Sequence, residues 1–527
     1  MAMRSRRACL GLLLLTLAGC GSPAAGGSSA VSPQGLVVVT AGGTALDDGT
    51  ADVPPTLELG LEGAGLTPSM VSATLDGHPI TLTRSSQGVT ASVAPMAYAS
   101  EHQLVIDVAG RPQQVIGFQV VDRTGMSAAA WRGGAGQIVC QVVFERAPDR
   151  AALAAALPQA QLHWIDGTHL SLAWATPPAS LTIPAGLAAA RGSVLDGPLT
   201  LSLTGLQPAQ LRRATVPAAV PAPAGLGLTL WTDGTAASDA SALAHAAQAT
   251  ILSPTGWQVE SDGGLQGTPN AVTLAAAAAA GRPVWPVLKN DDAGPTGTDQ
   301  LLNSASAQSA LITVVVSQVR SLGLAGVNLD FEGVPGSDES ALTAFAGQLS
   351  SALHAVRAGL SIDVVPHTLA GPDSASAAYD DPGLAAVADY LVVMAYDENT
   401  QAGDPGPVAG IEWQAAELDG TMAGVPAAKI VLGIPLYARS WSGDQVTSGA
   451  YASMVARALG EPDVSYDYDF SAATPELLSD PGGVPTQLWF DDADSLLRKI
   501  DAAGTLGLGG VAAWVAGDED PAFWSVV

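Results

Sequence analysis

The stretch Leu324-Ala325-Gly326-Val327-Asn328-Leu329-Asp330-Phe331-Glu332-Gly333 decides how the rest of the chain is read. Alternation along a strand sets Asn328, Asp330 and Glu332 on one face and Val327, Leu329 and Phe331 on the other. The apolar face suits packing against helices. The acidic face must then line a closed sheet, where carboxylates are costly unless they have chemistry to do. Asp330 and Glu332 are two strand rises apart, about 7 Å between Cα atoms, and neighbouring like charges raise the pKa of at least one. Such a carboxyl suits general-acid work near neutral pH.

Around this stretch, from Gly225 to the last residue, short apolar strands alternate with alanine-rich helical segments. Strands are expected at Leu226–Trp231, Ala249–Ser253, Pro283–Leu288, Gly326–Phe331, Leu360–Val365, Tyr390–Ala395, Ile430–Leu436 and Gly510–Trp514. Eight strands in this pattern predict an α/β fold, a (β/α)8 TIM barrel over 225–527. The gap from Tyr437 to Leu508 must hold an insertion as well as a helix, and is expected to wall a cleft.

A barrel places its site at the C-terminal ends of its strands. The residues there are Trp231, Asn290, Asp330 with Glu332, His367, Tyr396 with Asp397, Tyr437 with Arg439, and Trp514. Aromatic faces stack on sugar rings, and carboxylates take hydroxyls or deliver protons, so a glycan substrate is expected. Asp330, Glu332 and Asp397 could instead hold Mg2+ or Ca2+, which would leave Tyr396 and Trp514 without a purpose. No metal and no cofactor is therefore expected. His367 either faces substrate or caps its strand. Lys289-Asn290-Asp291-Asp292 and Arg439 either reach outer subsites or are solvated loop charge, and Trp231, Trp257, Trp285 and Trp441 divide between core and cleft.

The 324–333 stretch resembles the Asp-x-x-Asp-x-Asp-x-Glu signature of glycoside hydrolase family 18, the chitinase-like hydrolases. Met394-Ala395-Tyr396-Asp397, Leu432-Gly433-Ile434-Pro435-Leu436-Tyr437 and Gly509-Gly510-Val511-Ala512-Ala513-Trp514 resemble that family's sixth-, seventh- and eighth-strand motifs. Asn328-Leu329-Asp330-Phe331-Glu332, Pro405-Gly406-Pro407-Val408, Trp489-Phe490-Asp491-Asp492 and Glu519-Asp520-Pro521 with Trp524 are similar to the spore-cortex-lytic, peptidoglycan-directed N-acetylglucosaminidases. The resemblance implies retaining hydrolysis in which the substrate's own N-acetyl oxygen attacks. Glu332 would be acid and then base, Asp330 would hold the acetamide N–H, Tyr396 would hold its carbonyl, Asp397 would bond the −1 sugar or Glu332, and Trp514 would floor that subsite. Asn328, Tyr437, Arg439, Trp231 and Asn290 are the further expected substrate contacts. The sequence departs from the signature at Ala325 and Asn328, where the family carries acids. Asn328 is expected to hydrogen-bond Asp330 but cannot trade a proton with it. Peptidoglycan leads as substrate, with chitin or chitooligosaccharides and then N-glycan cores behind it. A non-hydrolytic glycan-binding protein on the same fold is the rival from another class.

The rest of the 527 residues is organised around this barrel. Arg4, Arg6 and Arg7, the apolar run Leu10–Leu17 and then Leu17-Ala18-Gly19-Cys20 resemble a bacterial lipoprotein signal with a lipobox over 1–20, Cys20 being the lipidation site. The run is too short to span a bilayer, so the chain is expected to be extracytoplasmic and lipid-anchored to a bacterial membrane. Residues 21–34 read as a tether rich in Gly, Ser, Ala and Pro. Short alternating runs over 35–123 read as a β-sandwich, with an Asp76-Gly77 hairpin turn. Residues 124–214 form a second β-rich block with a weak resemblance to bacterial immunoglobulin-like repeats. Both blocks are read as spacers, or else as carbohydrate binders through Trp131 or Trp164. Residues 215–224 read as a stiff Pro/Ala linker.

With Cys9 in the signal and Cys20 under lipid, Cys140 is left alone and no intramolecular disulfide is expected. The net charge of −28 repels nucleic acid, so no nucleic-acid partner is expected. A monomer is expected.

Overall fold

The computed structural model describes residues 38–41, 44–56, 58–62, 65–220, 225–400 and 405–527. The signal, Cys20 and the tether lie outside them, as do residues 221–224 of the linker. The described chain divides into two units, one up to Val121 and one from Asp122 to Val527. In the first, two five-stranded sheets bury one shared core in which Val39, Leu59, Leu61 and Val89 meet Leu104, Ile106, Phe118 and Val120. The expected hairpin is present: Leu75 pairs with His78 across Asp76 and Gly77, both at positive φ (51° and 79°) as a tight two-residue turn requires.

The second unit contains the barrel. Its parallel strands run Gly227–Thr232, Ile251–Pro254, Val287–Lys289, Gly326–Asp330, Gly359–Val364, Tyr390–Val393, Ile430–Pro435 and Gly510–Trp514. The eighth pairs with both the seventh and the first, and a parallel bridge between Leu252 and Val284 joins the second to the third, which closes the cylinder. An antiparallel hairpin, Trp257–Val259 with Leu265–Gly267, extends the second strand alongside the third.

Side-chain alternation separates two cores. Val327, Leu329, Leu360, Ile362, Leu391, Val393, Leu432 and Val511 pack outward against the helices. Trp231, Val287, Val392, Val431 and Ala512 form a second cluster in the lumen. At the N-terminal end Trp285 plugs the lumen. A Cβ on Gly326 or Gly359 would come within 2.3 Å or 2.5 Å of its ring, so these two positions require glycine. Trp257, 1% exposed, belongs to the helix-facing core.

The gap between the seventh and eighth strands holds a five-stranded antiparallel sheet built from Tyr437–Ser442, Gln445–Ala450, Ser465–Asp469, Thr474–Ser479 and Thr486–Trp489, with helices Tyr451–Leu459 and Ala493–Thr505. The block before the barrel is a five-stranded antiparallel sheet with a two-stranded partner, Ser180–Ile183 and Leu199–Ser202. Pro148-Asp149-Arg150 belongs to no strand. Asp149 Oδ1 accepts from the N–H groups of Ala151 and Ala152 (2.8 and 3.0 Å) and starts a helix over Arg150–Ala156. Thr215 and Val216, read as linker, finish the strand Arg212–Val216, because Met126 and Ser127 supply ladder partners that a local reading cannot see.

This block is welded to the barrel insertion. Ala129, Trp131, Val143 and Leu211 share a core with Tyr451, Tyr466, Tyr468, Leu477 and Phe490. The buried Arg213 guanidinium grips Asp492 through two bonds of 2.6 Å and lies 4.9 Å from the Tyr468 ring centre. Tyr466 donates its N–H to Gln141 Oε1 (2.7 Å), and its hydroxyl lies 2.6 Å from Ser127 Oγ. Trp131 is 1% exposed and so has no face to offer a carbohydrate. Cys140 is a free, buried thiol whose pKa burial pushes up to about 12.

Candidate active site

The fourth strand ends at Asp330, and the chain then turns Glu332 out of the barrel. Two groups fix the backbone at that turn. Asn290 is 2% exposed; its Oδ1 accepts the Glu332 N–H (2.9 Å) and its Nδ2 donates to the Glu332 carbonyl (2.8 Å). The Tyr379 hydroxyl donates to the Phe331 carbonyl at 2.9 Å. The Glu332 side chain is left exposed at the mouth. A rigid backbone under a free carboxyl is what proton delivery requires.

Asp330 lies behind it, 5% exposed. Burial and the neighbouring Glu332 push its pKa up to about 7, against the pull of Lys289, whose Nζ is 3.5 Å from Asp330 Oδ2. Lys289 also reaches Asp291 (3.3 Å) and lies 5.9 Å from the centre of the Trp514 ring. It is therefore part of the site rather than solvated loop charge.

Asn328 does not hydrogen-bond Asp330. Its Nδ2 donates to Asp363 Oδ2 at 2.6 Å and its Oδ1 accepts from Ser361 Oγ at 2.5 Å. The neighbouring fifth strand presents Ser361 directly across the ladder and Asp363 two residues further on, within reach of the Asn328 amide. Taken along the chain alone, 360–365 is one apolar strand, which leaves Asp363 and Ser361 unmarked as site residues. The signal was present all the same, since Leu360-Ser361-Ile362-Asp363-Val364 alternates as 327–331 does.

Tyr396 follows the sixth strand. Burial and the carboxyls of Asp363, Asp330 and Glu332 hold its phenol well above the ordinary value, so it stays a neutral donor. A Cβ on Gly433 would meet the Tyr396 ring at 2.9 Å and the Val393 carbonyl at 2.7 Å, so glycine there gives the ring its place. Asp397 sits at φ 67°, an uncommon backbone state for a non-glycine residue. Arg439 donates to its Oδ1 at 2.6 Å and the Tyr437 hydroxyl donates to the same atom. Arg439 also donates to the Asn399 carbonyl, and Asn399 Nδ2 donates to the Pro407 carbonyl at 2.8 Å. The Pro405–Val408 motif thus braces the Asp397 turn.

Trp514 packs edge-on against Trp231, with ring centres 5.6 Å apart. Trp231 itself is 1% exposed and supports Trp514 from the lumen. The structure therefore brings Asp330, Glu332, Tyr396, Asp397 and Trp514 to one end of the barrel. Asn290, Asn328 and Tyr437, which are 2%, 2% and 8% exposed, hold that group from behind, as do Arg439 and Trp231. His367 stands outside it: its Nε2 lies 2.9 Å from the Ser376 carbonyl and its Nδ1 3.4 Å from Asp381, so it ties down its own loop. Trp441 is 4% exposed within the insertion.

The similarity to the cortex-lytic branch also lies partly in structural residues. Lys499 Nζ pairs with Asp491 at 2.5 Å, Asp492 takes Arg213, and Glu519 accepts from Ser241 (2.6 Å) and Trp524 (2.8 Å).

With this geometry in view, residues 292–520 match the model of the family described as glycosyl hydrolases family 18. The chain carries a family 18 glycosyl hydrolase domain. Among curated proteins it is similar to the cortical fragment-lytic enzyme of Bacillus cereus, 26% identical over 290 residues, which are 53% of this chain and 67% of that protein. It is also similar to a class V chitinase of Arabidopsis thaliana, 26% identical over 256 residues, 43% of this chain and 67% of that one. The chain spans 52% to 67% of the length of the Bacillus relatives it matches. Among solved structures, a chitinase from Chromobacterium violaceum superposes with a TM-score of 0.54 at 26% identity, over 57% of this chain and 98% of that one. The Bacillus cereus spore cortex-lytic enzyme SleL superposes with a TM-score of 0.55 at 20% identity, over 74% of this chain and 97% of that one, which speaks for the fold alone.

Proposed function

We propose that the barrel hydrolyses β-1,4 bonds after N-acetylglucosamine, with retention and with the substrate's acetamide as nucleophile. The observation that carries this reading is the arrangement around one mouth: an exposed Glu332 on a clamped backbone, a buried Asp330 behind it, and the neutral Tyr396 phenol beside both. Glu332 protonates the glycosidic oxygen as the acetamide oxygen closes on the anomeric carbon, then takes a proton from the water that opens the oxazolinium ion. Asp330 accepts the acetamide N–H and offsets the positive charge that develops, while Tyr396 donates to the acetamide oxygen and holds it in line. Asp397 receives the −1 sugar, with Trp514 as its floor.

Peptidoglycan or its fragments lead as substrate, supported by similarity to the cortical fragment-lytic enzyme of Bacillus cereus. Chitin or chitooligosaccharides are the second reading, supported by the Chromobacterium violaceum chitinase at 26% identity. Lipidation at Cys20 would hold the barrel outside the cytoplasm at a bacterial membrane, the β domain up to Val121 following the anchor in chain order. A glycan-binding protein without turnover is disfavoured by the presence of Glu332. Incubation of the chain with purified peptidoglycan glycan strands and with chitooligosaccharides, followed by mass spectrometry of the products, tests the substrate. New N-acetylglucosamine reducing ends from glycan strands support the first reading, the same ends from chitooligosaccharides alone support the second, and retention on a glycan without cleavage supports binding only.

A further inference from the structure

Among the described residues, two buried carboxyl oxygens in the barrel lumen have no hydrogen-bond partner: Asp330 Oδ1 and Asp363 Oδ1. They lie on adjacent strands. Asn328 pairs with Ser361 and Leu329 with Ile362, so the register carries Asp330 beside Asp363, one ladder spacing of about 4.8 Å away. Both residues alternate with side chains that face the helices, which turns both carboxyls inward. Two carboxylates so placed in a dry interior cannot both be charged.

Their surroundings differ. Asp330 has Lys289 at 3.5 Å, while Asp363 is held by the Asn328 amide at 2.6 Å. The titratable groups whose charge reaches Asp363, besides Asp330, are Glu332, beyond the fourth strand, the phenols of Tyr379 and Tyr396, and Lys289, which lowers Asp363 as well but pairs with Asp330. The local cation therefore favours charge on Asp330, and the proton that the pair must keep belongs on Asp363.

We propose that Asp330 and Asp363 share one proton, carried on Asp363 Oδ1 and donated in a hydrogen bond to Asp330 Oδ1, which holds Asp330 as an oriented carboxylate ready for the substrate. One proton satisfies both orphan oxygens. It also accounts for Asn328: an amide cannot carry the proton, but it can fix Asp363 through Oδ2 and leave Oδ1 free to point at Asp330. The direction of both titrations agrees, since burial and the Asp330 charge hold Asp363 well above the carboxylate range, while burial and Glu332 push Asp330 up to about 7. Asp363 is a positioning residue, acting on the substrate through Asp330, and the inference rests on the role given to Asp330 above.

The test uses the full chain as wild type, Asp363→Asn, Asp363→Ala and Glu332→Gln. Asparagine at 363 can accept from Asn328 and donate to Asp330, but holds no titratable proton. Infrared difference spectra at about pH 8, where the pair should hold a single proton, are expected to show a buried protonated carboxyl in wild type and Glu332→Gln that is missing in Asp363→Asn. On the glycan that wild type cleaves, Asp363→Ala should lose roughly 10- to 100-fold in kcat with little change in KM, and Asp363→Asn should recover several-fold of that loss. A wild-type spectrum without an Asp363-dependent protonated carboxyl overturns the proposal. So does equal loss of kcat in both variants at unchanged melting temperature. If Asp363→Ala does not fold, the Asp363→Asn spectrum decides. If wild type cleaves no glycan, the proposed function fails while the spectra still decide the shared proton.

Discussion

Replacing Asp330 by Asn should make the barrel more stable at neutral pH while it abolishes turnover, and the size of the gain follows from the burial of the carboxyl. Asp330 is 5% exposed and its pKa is pushed up from 3.8 to about 7. The folded state therefore binds a proton that the unfolded state has released across that interval. Stability contributed by this group is fully present below the unfolded pKa and is lost as pH rises through the folded one. Between pH 5 and pH 8 the loss covers roughly two pKa units, at about 1.4 kcal/mol each, so close to 3 kcal/mol. Asparagine has the same shape and no charge, and the stability of the variant should lack that slope. Lys289 loses its partner in the variant, but with 18% of its side chain exposed it stays charged over this range and adds only a constant offset. The assay is urea unfolding of both proteins at pH 5 and pH 8, followed by tryptophan fluorescence. Asp330→Asn should gain about 3 kcal/mol on wild type between the two pH values. A difference that stays flat with pH would refute the claim that Asp330 is held at a cost in the folded barrel.

Other consequences are equally open to measurement. Tyr396→Phe removes one donor aimed at the acetamide oxygen and should lower kcat by about 10²- to 10³-fold with KM little changed; a purely raised KM would remove Tyr396 from the chemistry. Gly433→Ala places a methyl 2.9 Å from the Tyr396 ring and should cost on the order of 10²-fold in kcat by moving that phenol, without any contact of its own with substrate. Arg213→Met leaves the buried Asp492 unpaired and should destabilise the second unit by about 3–5 kcal/mol, read as a lowered unfolding midpoint; an unchanged midpoint would make the join between β block and insertion dispensable.

The barrel was legible because its signal is local and repeated. Each strand alternates helix-facing and lumen-facing residues within three to six positions, and the acids at 330 and 332 stand out against that pattern. Asp363 obeys the same alternation but was absorbed into an apolar run, since a single acid between Ile362 and Val364 carries little weight without its neighbour strand. The partner of Asn328 could not be found along its own strand, because the competing acceptor comes from residue 363 across the ladder. Long-range joins were illegible for a related reason. Arg213 and Asp492 are 279 positions apart, and nothing in 124–214 taken alone distinguishes a spacer from a block whose sheet is completed against the barrel insertion.

The central claim is that Glu332 delivers the proton. Glu332→Gln keeps the backbone clamp from Asn290, cannot donate a carboxyl proton, and should bind glycan as wild type does. The measurement is single-turnover cleavage of an N-acetylglucosamine oligosaccharide by both proteins, with binding followed in the same samples. A rate loss of about 10²- to 10⁴-fold in the variant at unchanged affinity is predicted. Cleavage by Glu332→Gln at the wild-type rate would contradict the account.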